Sequence, residues 1–132
     1  MRKIFLLEAS VLGALSVAMG AFAAHGLKQI VPEHSVSIFE TGVRYQFYHV
    51  FALALCGIVY QNFSNKAVLW AGNLFLLGIL FFSGSLYALT FTMAKGLEGF
   101  GWLGPVTPIG GVFFIAGWIS LAIGIGTKQR EK

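Results

Sequence analysis

Long apolar runs separated by short polar segments dominate the chain. Four of these runs cover about residues 4–24, 45–60, 68–93 and 108–126. A membrane-spanning helix needs roughly 20 mostly apolar residues, and a helix suits lipid because it satisfies its own backbone hydrogen bonds. The pattern therefore predicts an all-α protein, an integral membrane bundle of four transmembrane helices, forming a single domain over residues 1–132.

The second run is short for a span, but its helical pattern continues upstream. The apolar face of this upstream part carries Val36, Phe39, Val43 and Phe47, and the polar face carries Glu33, Ser37, Glu40, Arg44 and Tyr48. Apolar residues at such spacing are typical of an amphipathic helix. The sequence thus predicts an amphipathic helix that leads into the second span.

Two helix ends carry local signals. His25 and Gly26 close the first run, and a glycine that follows a helix often takes the left-handed conformation of a C-terminal cap. Thr107 and Pro108 precede the fourth run, where threonine is a good N-cap and proline is favoured at the first helical position. We expect a cap at Gly26 and a helix start at Pro108.

Composition agrees with a membrane protein. The chain is 57% hydrophobic and 11% charged, with a mean hydropathy of +0.78, whereas soluble domains carry about 25% charged residues. The net charge of +4 comes from residues at the edges of apolar runs rather than from one basic patch. We expect membrane lipids around the chain, no nucleic-acid partner, and no internal disulfide, since Cys56 is the single cysteine.

The distribution of basic residues predicts an orientation. One side of a four-span topology receives six of them, Arg2, Lys3, Lys66, Lys128, Arg130 and Lys132, and the other side receives three, Lys28, Arg44 and Lys95. The positive-inside rule then places both termini in the cytoplasm, or in the matrix if the membrane is mitochondrial. The first run imitates a signal peptide, but Glu8 interrupts it, so we expect a retained span.

Small residues recur within the spans at spacings that favour helix packing. Gly110, Gly117 and Gly124 are seven residues apart, as are Gly13 and Gly20, and the third span contains Ser83, Gly84 and Ser85. Small residues let helices approach closely in lipid, and serine hydroxyls can bond between helices. We interpret these positions as packing contacts; a substrate groove lined by glycines is the alternative.

Four charged or phenolic residues are candidates for chemistry. Glu8 lies near one end of the first span, where its role is either interfacial or in ion or proton handling. Glu40 and Arg44 are one helical turn apart, with Tyr48 a further turn along. We expect an ion pair between Glu40 and Arg44; Arg44 could instead bind a lipid phosphate.

Two histidines lie near span ends. His49 enters the second span and is interpreted as a buried residue bonded to a neighbouring helix, with a proton relay or ligand role as the alternative. His25 could form a polar cluster with Arg44 or Glu40 at the membrane surface. We predict no metal site, since His49 and Cys56 are about 10.5 Å apart along a helix axis.

Four passages together resemble a known family of small bacterial inner-membrane proteins, the YgdD-like group, which is a domain of unknown function with mitochondrial relatives. These passages cover residues 20–27, 39–49, 80–87 and 104–111, and the most specific is the string Glu40-Thr41-Gly42-Val43-Arg44-Tyr45-Gln46-Phe47-Tyr48-His49. The resemblance implies a four-helix protein of the bacterial cell (inner) membrane and no settled activity.

No grouped acid, base and nucleophile and no cofactor motif is visible in the sequence, so we predict no catalytic residues, no enzyme activity and no cofactor. The preferred interpretation is a non-catalytic structural or accessory membrane component that self-associates into a homo-oligomer or joins a larger membrane complex. The alternative is a transporter or channel for protons, ions or a small solute that uses Glu8, Arg44 and His49 in an oligomer.

Overall fold

A computed structural model describes residues 1–127 and contains only helices and short connections in that range. The helices are α1 (Lys3–Ala24), α2 (Glu33–Val59), α3 (Lys66–Gly78), α4 (Gly84–Lys95) and α5 (Leu103–Gly126), with a π-helical turn (Ile79–Ser83) joining α3 to α4 and a 3-10 turn (Leu27–Gln29) after α1. Four segments are long and apolar enough to cross a membrane, with α3, the π turn and α4 forming one of them. The predicted all-α bundle of four spans is confirmed.

The second span is longer than the apolar run. α2 is one continuous helix of 27 residues that starts after Pro32, and Val36, Phe39 and Val43 are buried while Glu40 is exposed. The amphipathic helix predicted upstream is therefore confirmed and is part of the span itself. Because no helix-breaking residue lies between the two parts, the backbone has no reason to stop at the edge of the apolar run.

The fourth helix starts earlier than predicted. α5 begins at Leu103, so Pro108 lies inside the helix and Thr107 is not its N-cap. Pro108 lacks only the N–H that would bond the carbonyl of Gly104, and that residue is exposed, so the loss is tolerated near the helix start. The hydroxyl of Thr107 forms a hydrogen bond with Ser85 instead.

Gly26 does not form the predicted left-handed cap. Its φ is −63°, which is right-handed, and the chain continues directly into the 3-10 turn. A Cβ at Gly26 would come within 3.1 Å of the Phe22 ring, so this glycine makes room for an aromatic side chain. The left-handed cap occurs at Gly96, where φ is +63° and the N–H donates to the carbonyl of Met93.

α5 packs against the third span along its glycine seam, which we define as Gly110, Gly117 and Gly124. These glycines pack against the backbone of Phe82, the ring of Phe75 and the side chain of Val68, respectively. A Cβ at Gly117 would lie 2.6 Å from the Phe75 ring, and one at Gly124 would lie 2.6 Å from Val68 Cγ2. The bulky residues are also seven apart, so the two antiparallel segments match turn for turn.

α1 also packs against α2 at two glycines seven residues apart, but at ordinary van der Waals distance rather than by close approach. A Cβ at Gly13 would lie 3.6 Å from Val50, and one at Gly20 would lie 3.6 Å from Val43. Gly84, in contrast, has no neighbour within 4 Å of a Cβ built on it, so its predicted packing role is wrong. It is half-buried, with open space beside it, because the π turn directs Ser83 rather than Gly84 toward α2.

Both described chain ends lie at one end of the bundle. The N–H of Arg2 donates to the carbonyl of Gly57 at 2.9 Å, and the Asn65 amide donates to the carbonyl of Gly124 at 2.9 Å. The connections after α1 and after α4 lie at the opposite end. Of the basic residues in the orientation argument, Lys128, Arg130 and Lys132 lie outside the described residues.

Candidate functional site

His49 is a buried residue of α2 that faces α5, and both of its ring nitrogens are hydrogen-bonded. Its Nδ1 lies 2.8 Å from the carbonyl of Tyr45, and the indole N–H of Trp118 donates to Nε2 at 3.1 Å. Because an indole nitrogen only donates, Nε2 must accept, and the ring proton is on Nδ1. This arrangement is a neutral histidine bonded to a neighbouring helix, and it leaves neither nitrogen open for a metal or a substrate.

Aromatic rings surround His49, and one side of this group lines a groove. The imidazole stacks on Phe114 with 3.5 Å between ring centroids, and Phe75 lies 5.6 Å away. The groove has a volume of about 400 Å³ and is lined by Tyr45, His49, Phe82, Gly111, Phe114, Ile115 and Trp118. With the polar atoms of His49 already bonded, this surface offers mainly dispersion contacts to lipid or another apolar group.

A second polar cluster joins three helices. The Tyr87 hydroxyl on α4 donates to Gln46 Oε1 on α2 at 2.6 Å, and Gln46 Nε2 donates to the carbonyl of Leu12 on α1 at 3.2 Å. Gln46 is buried on the same face of α2 as Val43 and Val50. Its position on an apolar stripe was the signal for a buried polar contact, and the sequence interpretation did not use it.

The serines around the π turn also bond between helices. Ser83 Oγ donates to the carbonyl of Gly42 at 2.7 Å, and Ser85 bonds Thr107 of α5. A Cβ at Gly42 would lie 2.9 Å from the Tyr87 ring, so α2 and α4 approach closely here. Interhelical hydrogen bonds beside close backbone contacts are typical of stable packing in lipid.

Glu8 lies half-buried on α1, beside the face that packs on the bundle. Its Oε2 is buried and accepts no hydrogen bond within residues 1–127. Neighbouring Phe5 and Ala9 are buried, and the side chain of Ser10 bonds its own helix at the carbonyl of Leu6. Glu8 is thus a single polar group at the edge of an apolar contact.

Glu40, Arg44 and Tyr48 all lie on the exposed side of α2. The predicted ion pair between Glu40 and Arg44 is not formed in the described part of the chain. Their one-turn spacing permits a pair within the helix, but the structure joins the two side chains by no ion pair or hydrogen bond within residues 1–127. Neither charge has a partner in the part of the chain that the structure describes.

The remaining candidates are not brought together. His25 is exposed, and within the described range no hydrogen bond or ion pair joins it to Glu40 or Arg44, so the proposed surface cluster is wrong. Among residues 1–127, no hydrogen bond or ion pair joins Glu8, Arg44 and His49 to one another either. The part of the chain described here contains no group of three acidic, histidine or cysteine side chains that could hold a metal ion.

A known protein family matches most of the chain, including the helices that carry Gln46, His49 and Tyr87. The profile of a protein family of unknown function, DUF423, matches residues 19–111. The chain belongs to the DUF423 family. The matched range contains all four passages that carried the resemblance, together with His49, Gln46 and Tyr87, whereas Glu8 and Trp118 lie outside it.

Relatives of this DUF423 member cover nearly its whole length. It is 44% identical over 121 residues to a UPF0382 membrane protein of Staphylococcus aureus, covering 92% of this chain and 93% of the relative. It is 41% identical to one from Haemophilus influenzae, covering 94% of each chain, and 37% identical to YwdK of Bacillus subtilis, covering 92% of this chain and 94% of that one. No solved structure matches the chain. The expected family of small membrane proteins is confirmed.

Proposed function

We propose that this DUF423 protein is a non-catalytic structural or accessory component of the bacterial cell membrane that works as a self-associated unit. The observation that carries the proposal is how the interior uses its polar groups. Gln46, His49 and Ser83 each bond a neighbouring helix or its backbone, and together they hold the bundle closed. Groups used in this way are not available to bind or carry a solute.

Packing around these groups supports the same interpretation. The glycine seam and the Gly42 contact draw helices together until side chains fill the space between them. A transport path needs polar groups that line a shared wet cavity, and Glu8, Arg44 and His49 share no contact in the described residues. Self-association is the role that accommodates the charged face of α2, which the bundle itself leaves uncovered.

The proposed location is the bacterial inner (cytoplasmic) membrane, with both termini in the cytoplasm. Support comes from the basic residues at the terminal end of the bundle, Arg2, Lys3 and Lys66, against Lys28 and Lys95 at the other end. Arg44 lies within the span formed by α2 rather than in a loop, so it leaves the loop count, which changes from six against three to six against two over the whole sequence.

Mass measurement and flux assays test the functional proposal. The purified full-length protein in lipid nanodiscs should give a stable oligomeric mass, and the same preparation in proteoliposomes should show proton and ion flux no greater than that of empty vesicles. Glu8→Gln is the variant to compare with the wild type, because glutamine keeps the shape of the glutamate side chain and removes its charge. Flux that exceeds the vesicle background and disappears in Glu8→Gln would overturn the proposal in favour of transport.

Reporter fusions test the orientation. A fluorescent protein that folds only in the cytoplasm should be bright when fused after residue 132, and alkaline phosphatase should be active only when inserted in the connection at residues 97–101. The reverse pattern would contradict a cytoplasmic C-terminus, and phosphatase activity at both positions would contradict a membrane crossing by α5, the one helix between them.

A further inference from the structure

One line of side chains on α2 remains exposed along the whole helix, although α2 packs on α1, α3 and α4. We call it the α2 stripe and define it by Ser37, Glu40, Arg44, Tyr48, Phe51 and Leu55, all exposed. Residues three or four apart lie on one side of a helix, so these positions form a single face. The stripe is polar over its first four members and apolar over the last two.

Arg44 of the α2 stripe lies well inside the ends of the helices that pack around α2. Gly20, which packs against Val43, is four residues from the end of α1, or about 6 Å along the axis. Gly42 packs against Leu86, which is nine residues from the end of α4, or about 13 Å. Arg44 therefore lies inside the ends of the neighbouring helices, where an unpaired charge that faces lipid is costly.

Two opposite charges on this face have no partner among the described residues of their own chain. Glu40 and Arg44 are exposed and form no ion pair or hydrogen bond within residues 1–127. They lie one turn apart on the same face, which makes the surface complementary to itself. A second copy that presents the same face can satisfy both charges at once.

We propose that the α2 stripe is the contact between two copies of this chain, with the two α2 helices parallel and Glu40 of each copy paired with Arg44 of the other. This inference rests on the self-association proposed above and adds the surface that forms it. Copies inserted in one orientation place equal positions at equal depth about a two-fold axis. Glu40 of one copy is then one helical turn in depth from Arg44 of the other copy, which is the kind of offset that joins charged side chains across parallel coiled coils.

The stripe fits a second copy better than it fits a lipid phosphate. A phosphate could pair with Arg44 but would be repelled by Glu40 one turn away and would leave that carboxylate unpaired. A second copy pairs both groups reciprocally. Phe51 and Leu55 continue the same face, so the contact extends beyond the ion pairs into apolar packing.

Two charge variants and their mixture test the pairing. Glu40→Arg places two cations on each stripe, and Arg44→Glu places two anions, so each variant alone should dimerise at least about tenfold more weakly than the wild type in nanodiscs or proteoliposomes. Mixing the two variants should restore dimerisation, because each copy then meets the opposite charge at both positions. Each variant chain still carries two like charges in the mixture. A restored dimer can therefore come only from pairing between the two different chains.

Disulfide cross-linking locates the contact independently. In a Cys56→Ala background, which removes the sole cysteine, Phe51→Cys lies on the α2 stripe and Val112→Cys lies on α5 with nearly equal exposure, 66% against 63% in the wild-type side chains. Oxidation in the membrane should link copies through residue 51 and leave the variant at residue 112 monomeric. Helical content by circular dichroism checks that each variant is folded.

The outcomes separate this contact from the functional proposal. A wild-type protein that is monomeric at every protein-to-lipid ratio overturns both. An oligomer that survives both charge variants and cross-links at residue 112 rather than 51 overturns the α2 contact and keeps self-association. A third outcome is that only Arg44→Glu loses dimerisation, mixing does not restore it, and the wild-type protein retains anionic phospholipid. This outcome assigns Arg44 to a lipid phosphate and overturns the pairing.

Discussion

At the scale of single residues, Gln46 shows how this bundle uses polarity. Its amide accepts a hydrogen bond from Tyr87 and donates one to the carbonyl of Leu12, so one side chain ties α2 to α4 and to α1. A buried amide that loses a partner keeps its desolvation cost without compensation. Substitutions of its partners should therefore cost more than the bond alone.

The variant Tyr87→Phe tests this expectation. It removes the hydroxyl and leaves Gln46 Oε1 buried without a donor, which should lower the free energy of unfolding by about 1–3 kcal/mol. SDS titration in mixed micelles measures the change. Tyr60→Phe is the matched control, because the Tyr60 hydroxyl makes no hydrogen bond in the described structure. Equal losses in the two variants would contradict a special role for the Gln46 contact.

Trp118→Phe tests the bond to His49. The variant keeps an aromatic ring beside the imidazole and removes the indole donor, so we expect a loss of about 0.5–1.5 kcal/mol in the free energy of unfolding. Trp70→Phe serves as the control, since Trp70 is 60% exposed and makes no side-chain bond among residues 1–127. An unchanged stability in Trp118→Phe would show that stacking on Phe114 alone positions His49.

Sequence reasoning reached some of these residues and missed others for identifiable reasons. It gave His49 a buried contact with another helix, but it did not name Trp118, because an interfacial tryptophan and a bonded one look alike in sequence. It predicted the pair of Glu40 and Arg44 from spacing alone. Spacing shows which side chains can reach each other, but it does not show whether they pair with each other or with another group.

At the scale of helices, the glycine seam controls how closely α5 approaches the third span. The most demanding position is Gly110, where an added Cβ would overlap the backbone of Phe82 rather than a flexible side chain. Backbone cannot rotate away, so the whole helix must shift to admit a methyl group. The seam is therefore least tolerant at the π turn.

Gly110→Ala is expected to lower the free energy of unfolding by about 1–3 kcal/mol through overpacking. Gly104→Ala adds the same methyl group to the same helix at a place with no neighbour within 4 Å, and it should cost nothing. SDS titration of both variants gives the comparison. A similar loss in the two would indicate that backbone freedom, and not close approach, explains the glycines.

Hydropathy predicted the spans well and their internal geometry poorly. The apolar run of the third span continues without interruption from about residue 68 to 93, so nothing in it indicates the π turn at Ile79–Ser83. Likewise, Pro108 is typical of a helix start, yet the helix begins at Leu103. Local sequence signals give the backbone only weak preferences, and packing against neighbouring helices overrides them.

At the scale of the whole molecule, Cys56 reports whether the bundle is closed. The residue is 0% exposed and belongs to the main apolar cluster. A membrane-permeable maleimide should label it slowly in nanodiscs and rapidly after unfolding in SDS. Gln61→Cys in a Cys56→Ala background is exposed and should react at once. Rapid labelling of Cys56 in the native protein would indicate a wet, open interior and would favour the transport alternative.

The matched seven-residue spacing of the glycine seam has a consequence for folding. If α5 slid by one repeat, Gly117 would lie at Phe82 and Gly124 at Phe75, so spacing alone would place two of the three glycines opposite a bulky residue again. The correct alignment is selected by bonds that do not repeat, such as Ser120 to the carbonyl of Ala67 at 2.6 Å. Hydroxyl and amide groups that bond at single positions therefore distinguish the native alignment from the shifted one.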